Sequence, residues 1–324
     1  MEKKDLRIVY MGTPDFAVAS LRALVEGGYN VVGVITMPDK PMGRHGSVLQ
    51  SSPVKKYAEE VGLPLLQPEK LKEEAFLEAL RTWQADLQIV VAFRMLPEVV
   101  WNMPRLGTFN LHASLLPQYR GAAPINWAVI NGDTETGVTT FFLKHEIDTG
   151  SIILQRHLPI ADTDNVGQVH DALMEMGAGL VTETVDQILA GQVQSIPQEE
   201  LMPAGGELRP APKIFKETCH IDWKQPMKRI YDFIRGLSPY PAAWTELVSP
   251  DGKRQVLKIF QSEKRPAAHS LPAGTLCSDK RTYIDVAVEG GYLRIDSLQL
   301  AGKKRMPVAD FLRGNQSILN CCVE

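Results

Sequence analysis

The sequence predicts an α/β protein in two parts: a doubly wound, mostly parallel sheet followed by a small OB-like β-barrel. Three observations carry this expectation. Residues 6–36 alternate a buried strand, a helix and a second, β-branched strand, the unit from which parallel sheets are built. Residues 244–300 instead run through short strands separated by turn residues, the spacing of a small barrel. Between these stretches, Pro197, Pro203, Gly205, Gly206, Pro210 and Pro212 interrupt regular structure and mark a linker. A length of 324 residues is ample for two cores.

Taken in order, residues 6–12 are an apolar run short enough for a buried strand. Residues 15–26 form a helix opened by Thr13-Pro14-Asp15 and stopped by Gly27-Gly28, and residues 31–36 are the next strand. The first turn lacks the G-x-G-x-x-G that brings a pyrophosphate onto a helix N-terminus, which argues against a nicotinamide-dependent enzyme. Residues 37–52 read as a loop with Lys40 and Arg44 as its cations. Helices over 53–61 and 71–83 flank a short strand at 63–66, and residues 87–93 are a central strand ending at Arg94-Met95-Leu96-Pro97. A strand at 107–112, a helix from Arg120-Gly121-Ala122-Ala123-Pro124 to Asn131, strands over 137–143 and 151–159, and a long helix over 165–190 follow. Gly167, Gly177 and Gly179 are expected near the packing face of that helix. The second part opens with a helix at 227–236 and continues through strands at 244–248, 255–261, 274–276, 282–287 and 291–300.

Chemistry concentrates between Phe109 and Gly150. Residues two apart on an extended chain share a face, so Asn110 and His112 offer an amide and an imidazole to one site. Asp148, in the Asp148-Thr149-Gly150 turn after the next strand, can return to the same end of the sheet. An amide donor, an imidazole and a carboxylate are the groups that stabilise an oxyanion and move protons in acyl transfer. No Ser or Cys nucleophile motif accompanies them, which favours direct attack by a substrate amine over an acyl-enzyme. The N-x-H triplet alone describes a capping Asn and a structural His equally well. Arg120 is readable as half of an ion pair with an acidic neighbour, and His145 as a surface residue.

The run Asn110-x-His112-x-Ser114-Leu115-Leu116-Pro117-x-Tyr119-Arg120-Gly121-Ala122-x-Pro124, with Asp148-Thr149-Gly150 downstream, resembles the 10-formyltetrahydrofolate-dependent formyltransferases. The likeness extends from Gly12-Thr13-Pro14-Asp15-Phe16 to Gly302-Lys303-Lys304-Arg305-Met306 and is closest to the branch that formylates methionine on initiator tRNA. The resemblance implies a Rossmann-like formyltransferase domain over 1–203, a linker over 204–213 and an OB-like, tRNA-binding domain over 214–324. It implies that Asn110, His112 and Asp148 are catalytic, with Asp148 orienting His112 and helping to carry the amine proton. It further implies that Phe93, Arg94, Met95 and Leu96 hold the pterin of 10-formyltetrahydrofolate through their backbone. Ser114, Leu115, Leu116 and Pro117 would line the folate pocket, and Lys40 and Arg44, with His45 beside them, would meet the acceptor end of the tRNA. Three places depart from the family pattern. Phe93-Arg94 stands where Tyr-Gly is more usual, His45-Gly46-Ser47-Val48 replaces a run with further lysines, and Arg209-Pro210-Ala211-Pro212-Lys213-Ile214 stands where Tyr-Ala-Pro-Lys-Ile is usual.

Charge is divided unevenly along the chain. The net charge is −3, yet residues 207–324 hold 19 Lys+Arg against 13 Asp+Glu, a net of +6, which leaves −9 for residues 1–206. A basic second part suits a polyanionic partner. Lys303, Lys304 and Arg305, beside Lys253-Arg254 and Lys280-Arg281, offer phosphate contacts, although each group is also an ordinary solvated turn. The four cysteines, Cys219, Cys277, Cys321 and Cys322, lack zinc-ligand spacing, so reduced thiols and no metal are expected. Without a signal-peptide segment or an apolar run of roughly 18 residues, the expectation is a cytoplasmic enzyme, monomeric by default. The alternatives are a formyltransferase for a nucleotide sugar or glycinamide ribonucleotide, a hydrolase of the same formyl donor, and an RNA-binding protein without catalysis.

Overall fold

The structure is a computed structural model that describes residues 2–42, 48–202 and 204–324. These divide into two compact units. One comprises Met1–Gly121, Thr136–Leu158 and His170–Pro210; the other gathers Ala122–Glu135 and Pro159–Val169 with Ala211–Glu324.

The first unit is built on strands β1 (Ile8–Gly12), β2 (Val31–Ile35), β5 (Leu65–Leu66), β6 (Leu87–Val91), β7 (Thr108–His112), β8 (Glu135–Phe142) and β9 (Ile152–Pro159). They form one seven-stranded sheet in the order β5-β2-β1-β6-β7-β8-β9. The first five pair in parallel, whereas β8 runs antiparallel to β7. Every residue of β1 and β6 is buried, as their near-continuous apolar sequences require. On one face Val9, Met11 and Val90 pack against Phe76, Leu77 and Leu80 of α3 (Glu74–Thr82) and Val100 of α4 (Glu98–Trp101). On β7 and β8, Leu111 and Thr140 meet α6 (Val166–Ala190). A Cβ on Gly177 would lie 2.7 Å from Leu111 Cδ2, so this glycine is what lets the helix seat, while Thr140 and Thr184 share a 2.8 Å hydroxyl bond. Gly179 makes only ordinary contact, with Arg156. Helix α1 (Asp15–Glu26) follows β1 with the predicted bounds.

Residues 37–52 contain more order than the loop the sequence suggests. β3 (Lys40–Met42) and β4 (Val48–Gln50) pair antiparallel, with Lys40 opposite Gln50. Strands of three residues leave too little alternation to detect beside Pro38, Pro41, Gly43 and Gly46. Asp39 anchors the base, accepting from Lys55 Nζ of α2 (Pro53–Glu60) at 2.6 Å and Gln67 Nε2 at 2.9 Å. The Lys55 ammonium, then the Gln67 amide, hold the Asp39 carboxyl below the usual carboxylate range. Arg44 and His45 lie outside the described residues.

The second unit is a nearly closed antiparallel barrel of β10 (Ala243–Val248), β11 (Arg254–Pro266), β12 (Leu276–Ser278), β13 (Ile284–Val288), β14 (Gly291–Leu300), β15 (Met306–Pro307) and β16 (Cys322–Val323). The order is β12-β13-β14-β11-β10-β16, with β15 on β14. A bridge between Thr275 and Cys322, with Val323 N donating to Gly274 O at 3.1 Å, brings the two edges together. The interior holds Leu247, Leu257, Ile259, Val286, Leu293 and Ile295 with Ile230, Ile234 and Leu237 of α7 (Met227–Leu237). β11 runs past its predicted end because register shifts between Ile259 and Ser262 interrupt the alternation that a sequence reading follows. Within the same unit α5 (Pro124–Ile130) joins α7, Asn126 donating to Gly236 O at 2.9 Å. Among the described residues no helix is long and apolar enough to cross a membrane.

Phe141, fully buried on β8, packs with Leu116 and Ile152 and meets the His112 ring edge-on at 6.5 Å. Phe141→Ala is expected to lower unfolding free energy by about 3–5 kcal/mol in urea titrations; a loss below about 1 kcal/mol would mean that this side chain does not hold the sheet under the site.

Candidate active site

Where β1 meets β6 the strand order reverses, β2 and β5 lying to one side and β6 and β7 to the other. In doubly wound sheets the crevice at the carboxyl ends of such strands takes the ligand. Gly12, Val91 and His112 end these strands.

Asn110 and His112 stand on β7 with one residue between them, facing Phe141 and Thr139 across the β8 register. Asn110 is half-buried, and among the described residues its side-chain amide has no protein hydrogen-bond partner. His112 is buried, and its Nε2 lies 2.9 Å from the Tyr119 carbonyl oxygen. A carbonyl can only accept, so Nε2 carries the proton and Nδ1 is the nitrogen left for chemistry. Nδ1 is 3.9 Å from Asp148 Oδ2. That is an ion-pair distance rather than a hydrogen bond, with the spacing to tighten once the imidazole is protonated.

The three predicted catalytic residues therefore come together, by a different route from the one expected. Because β8 is antiparallel, its end lies beside the start of β7, Phe142 opposite Phe109. Residues 143–150 must double back to reach His112. Gly150 is packed against Phe142 so closely that a Cβ would fall 1.5 Å from that residue's carbonyl oxygen. Asp148 adopts a φ of +55° and accepts from Gly121 N at 3.0 Å through Oδ2.

Two residues whose contacts sequence reasoning passed over, one through its side chain and one through its backbone, complete the arrangement. Gln198, in the short 3-10 turn Gln198–Leu201, has no solvent exposure. Its Nε2 donates to the carbonyls of Asp148 at 2.8 Å and Gly150 at 2.9 Å, and its Oε1 accepts from Arg120 Nε at 3.0 Å and a second guanidinium nitrogen at 2.7 Å. Arg120 is thus partnered by a neutral amide where the sequence suggested an acidic neighbour. Arg209 receives Tyr119 N at its carbonyl at 2.8 Å, and its own N donates to Gln118 Oε1 at 2.8 Å. The Pro- and Gly-rich stretch read as a linker grips the catalytic loop through these contacts. No motif signals them; an isolated Gln or Arg in a loop is ordinary.

The residues expected to meet folate have distinct fates. After β6 the backbone turns at Ala92, with φ +47°. Phe93 is half-buried, Leu96 enters the core, and Met95 is 72% exposed. Arg94 donates to the carbonyls of Glu69, at 2.8 Å, and Pro68, which draws its guanidinium away from the strand end, and burial holds its pKa below the ordinary arginine value. Ser114 donates to Gln118 O at 2.7 Å, and Leu116 and Pro117 are buried while Leu115 packs on Gly137. Thr139 and Gln155 pin this loop, Thr139 Oγ1 donating to Ser114 O at 2.7 Å and Gln155 Nε2 to Leu116 O at 2.7 Å. Phe93 and Met95 leave apolar surface beside the turn at Ala92, near the switch point.

An amide, an imidazole and a carboxylate come together at the carboxyl edge of a doubly wound sheet, and relatives identify the class of the protein. Residues 6–185 match the Formyl transferase family and residues 213–316 match the Formyl transferase, C-terminal domain family. The chain belongs to the formyl transferase family. It is 78% identical over 318 residues to the methionyl-tRNA formyltransferase of Parabacteroides distasonis, covering 98% of each chain. It is 74% identical over 324 residues to that of Phocaeicola vulgatus, covering both chains completely, and 72% identical over 314 residues to that of Bacteroides fragilis, covering 97% and 96%. Among solved structures, the sugar 3N-formyl transferase WlaRD, determined with dTDP and 5-N-formyl-THF, shares the fold at a TM-score of 0.63 and 18% identity over 92% of this chain and 99% of that one. HypX from Aquifex aeolicus in complex with tetrahydrofolic acid matches at 0.61 and 19%, over 95% of this chain and 47% of that one.

Gly150→Ala is expected to displace Asp148 and lower the rate of formyl transfer roughly 100-fold, measured as kcat, with far-UV circular dichroism unchanged. A rate within about twofold of wild type would show that Asp148 does not depend on this packing.

Proposed function

We propose that this protein transfers the formyl group of 10-formyltetrahydrofolate to the free amino group of methionine on initiator tRNA, the modification that prepares it for translation initiation. The relatives that match it over 96% or more of their length are named methionyl-tRNA formyltransferase, which supports this reading. The single observation that carries the mechanism is the unpartnered Asn110 amide beside a His112 whose Nδ1 faces Asp148.

In this reading Asn110 donates to the formyl oxygen as it gains negative charge under attack by the amine, the position where a fixed donor is worth most. His112 Nδ1, kept free because Nε2 is committed to Tyr119 O, takes the proton released by the amine. Asp148 stabilises the resulting imidazolium, and the proton then passes to the departing folate nitrogen. Phe93, Arg94, Met95 and Leu96 hold the pterin through backbone groups. Ser114, Leu115, Leu116 and Pro117 shape the pocket wall, and no metal takes part. The catalytic domain spans residues 1–203, the linker 204–213, and the OB-like tRNA-binding domain 214–324. Lys40 and Arg44 meet the acceptor end, and Lys303, Lys304 and Arg305 meet backbone phosphates; the enzyme acts in the cytoplasm as a monomer.

The geometry ranks the basic groups. Lys253 pairs with Asp251 and Arg254 with Glu246 and Glu324, whereas Lys303 and Lys304 are exposed and, among the described residues, make no ion pair. Arg305 lies over the Phe260 ring at 4.4 Å and donates to Ser297 Oγ.

The deciding experiment is formyl transfer from 10-formyltetrahydrofolate to charged initiator tRNA beside free methionine, a nucleotide amino sugar and a no-acceptor control. Transfer to the tRNA alone is expected; transfer to the sugar, or donor loss without acceptor, would overturn the substrate assignment. Asn110→Ala is expected to lower kcat roughly 100- to 1000-fold with intact folding, and near-wild-type turnover would remove Asn110 from the mechanism.

A further inference from the structure

We infer that Gln198 is a positioning residue for formyl transfer, acting on Asp148 through the backbone; the inference rests on the reading of the site given above. Its carboxamide is fully buried and spends its whole hydrogen-bonding capacity on the catalytic loops. Both donors go to the Asp148 and Gly150 carbonyls, and the acceptor takes two N–H groups of Arg120. The orientation is forced: oxygen must face the guanidinium and nitrogen the carbonyls.

The loop held in this way is strained. Asp148 sits at φ +55°, a region that an L-residue outside glycine keeps only where its surroundings over-determine it. The two Gln198 bonds grip carbonyls within and just beyond this turn. Without them Asp148 relaxes towards negative φ, and the carboxylate swings from both Gly121 N and His112 Nδ1. Since all four Gln198 bonds end on protein, the loss falls on the chemical step and leaves substrate affinity intact. Glutamate has the same shape and still accepts from Arg120, but it has no donor and sets a carboxylate against two carbonyl oxygens. Asparagine keeps the chemistry and is one methylene too short to reach both partners.

The test compares wild type, Gln198→Glu and Gln198→Asn, each alone and combined with Asp148→Asn, in the full chain. The readouts are kcat, KM for folate donor and for methionyl-tRNA, and thermal unfolding. Each single variant is expected to lose roughly 100-fold in kcat, with both KM values within about threefold of wild type, and to lose nothing further in the Asp148→Asn background. A folded variant with wild-type kcat, a loss that appears in KM, or a loss that adds in full to that of Asp148→Asn would overturn the inference. Should neither variant fold, the unsubstituted protein decides by NMR. The Gln198 carboxamide protons, both bonded to carbonyls, are expected to exchange at least roughly 100-fold slower than those of a free glutamine, and exchange at the free rate would overturn the clamp. A wild type that does not formylate methionyl-tRNA would reject the substrate reading instead, and the exchange measurement would still decide on Gln198.

Discussion

Three residues around the site hold left-handed backbone without being glycine: Ala92 at the end of β6, Tyr119 in the loop after β7, and Asp148 in the turn after β8. Each such conformation is unfavourable by roughly 1–3 kcal/mol and persists only where neighbours leave no alternative. The geometry of the candidate site depends on them. Tyr119 turned this way presents its carbonyl to His112 Nε2 and thereby decides which imidazole nitrogen is free. Asp148 turned this way aims its carboxylate between Gly121 N and that free nitrogen. Ala92 turns the chain out of the sheet at the point where the strand order reverses.

The surrounding structure supplies what these conformations need. Gln198 and the Gly150 packing fix the Asp148 turn, Arg209 ties the Tyr119 amide, and Thr139 with Gln155 pins the intervening loop. A buried polar network of this kind is fully bonded or it is costly, so removing one member disturbs more than one contact. The groups of the candidate site are thus held by surrounding hydrogen bonds to main chain more than by direct bonds to one another, and among the described residues the Asn110 amide and His112 Nδ1 make no protein hydrogen bond.

Much of this was legible in the sequence. Buried strands announce themselves as short apolar runs, and α1 appears with its expected bounds because Pro14 and the Gly27-Gly28 pair mark both ends. Asn110 and His112 stand out because their residue types and spacing of two form one local motif, and Asp148 because an Asp-Thr-Gly turn follows the next strand. Strand direction is different: the run that becomes β8 reads identically parallel or antiparallel, so the doubling back of residues 143–150 had no local signal. Gln198 and Arg209 were missed because their partners lie far away in sequence, and proline and glycine content reports backbone preference, not what a neighbouring side chain reaches. Arg94 illustrates the same limit. Its position at a strand end was readable, while its commitment to the Pro68 and Glu69 carbonyls was not.

In the proposed mechanism Asn110 receives the formyl oxygen and His112 Nδ1 accepts the proton. A crystal structure of the chain with a formylated tetrahydrofolate analogue tests it most directly. The formyl oxygen is expected about 2.7–3.2 Å from Asn110 Nδ2, with His112 Nε2 still bonded to the Tyr119 carbonyl. A formyl group turned away from Asn110, or His112 flipped so that Nδ1 meets Tyr119, would contradict it.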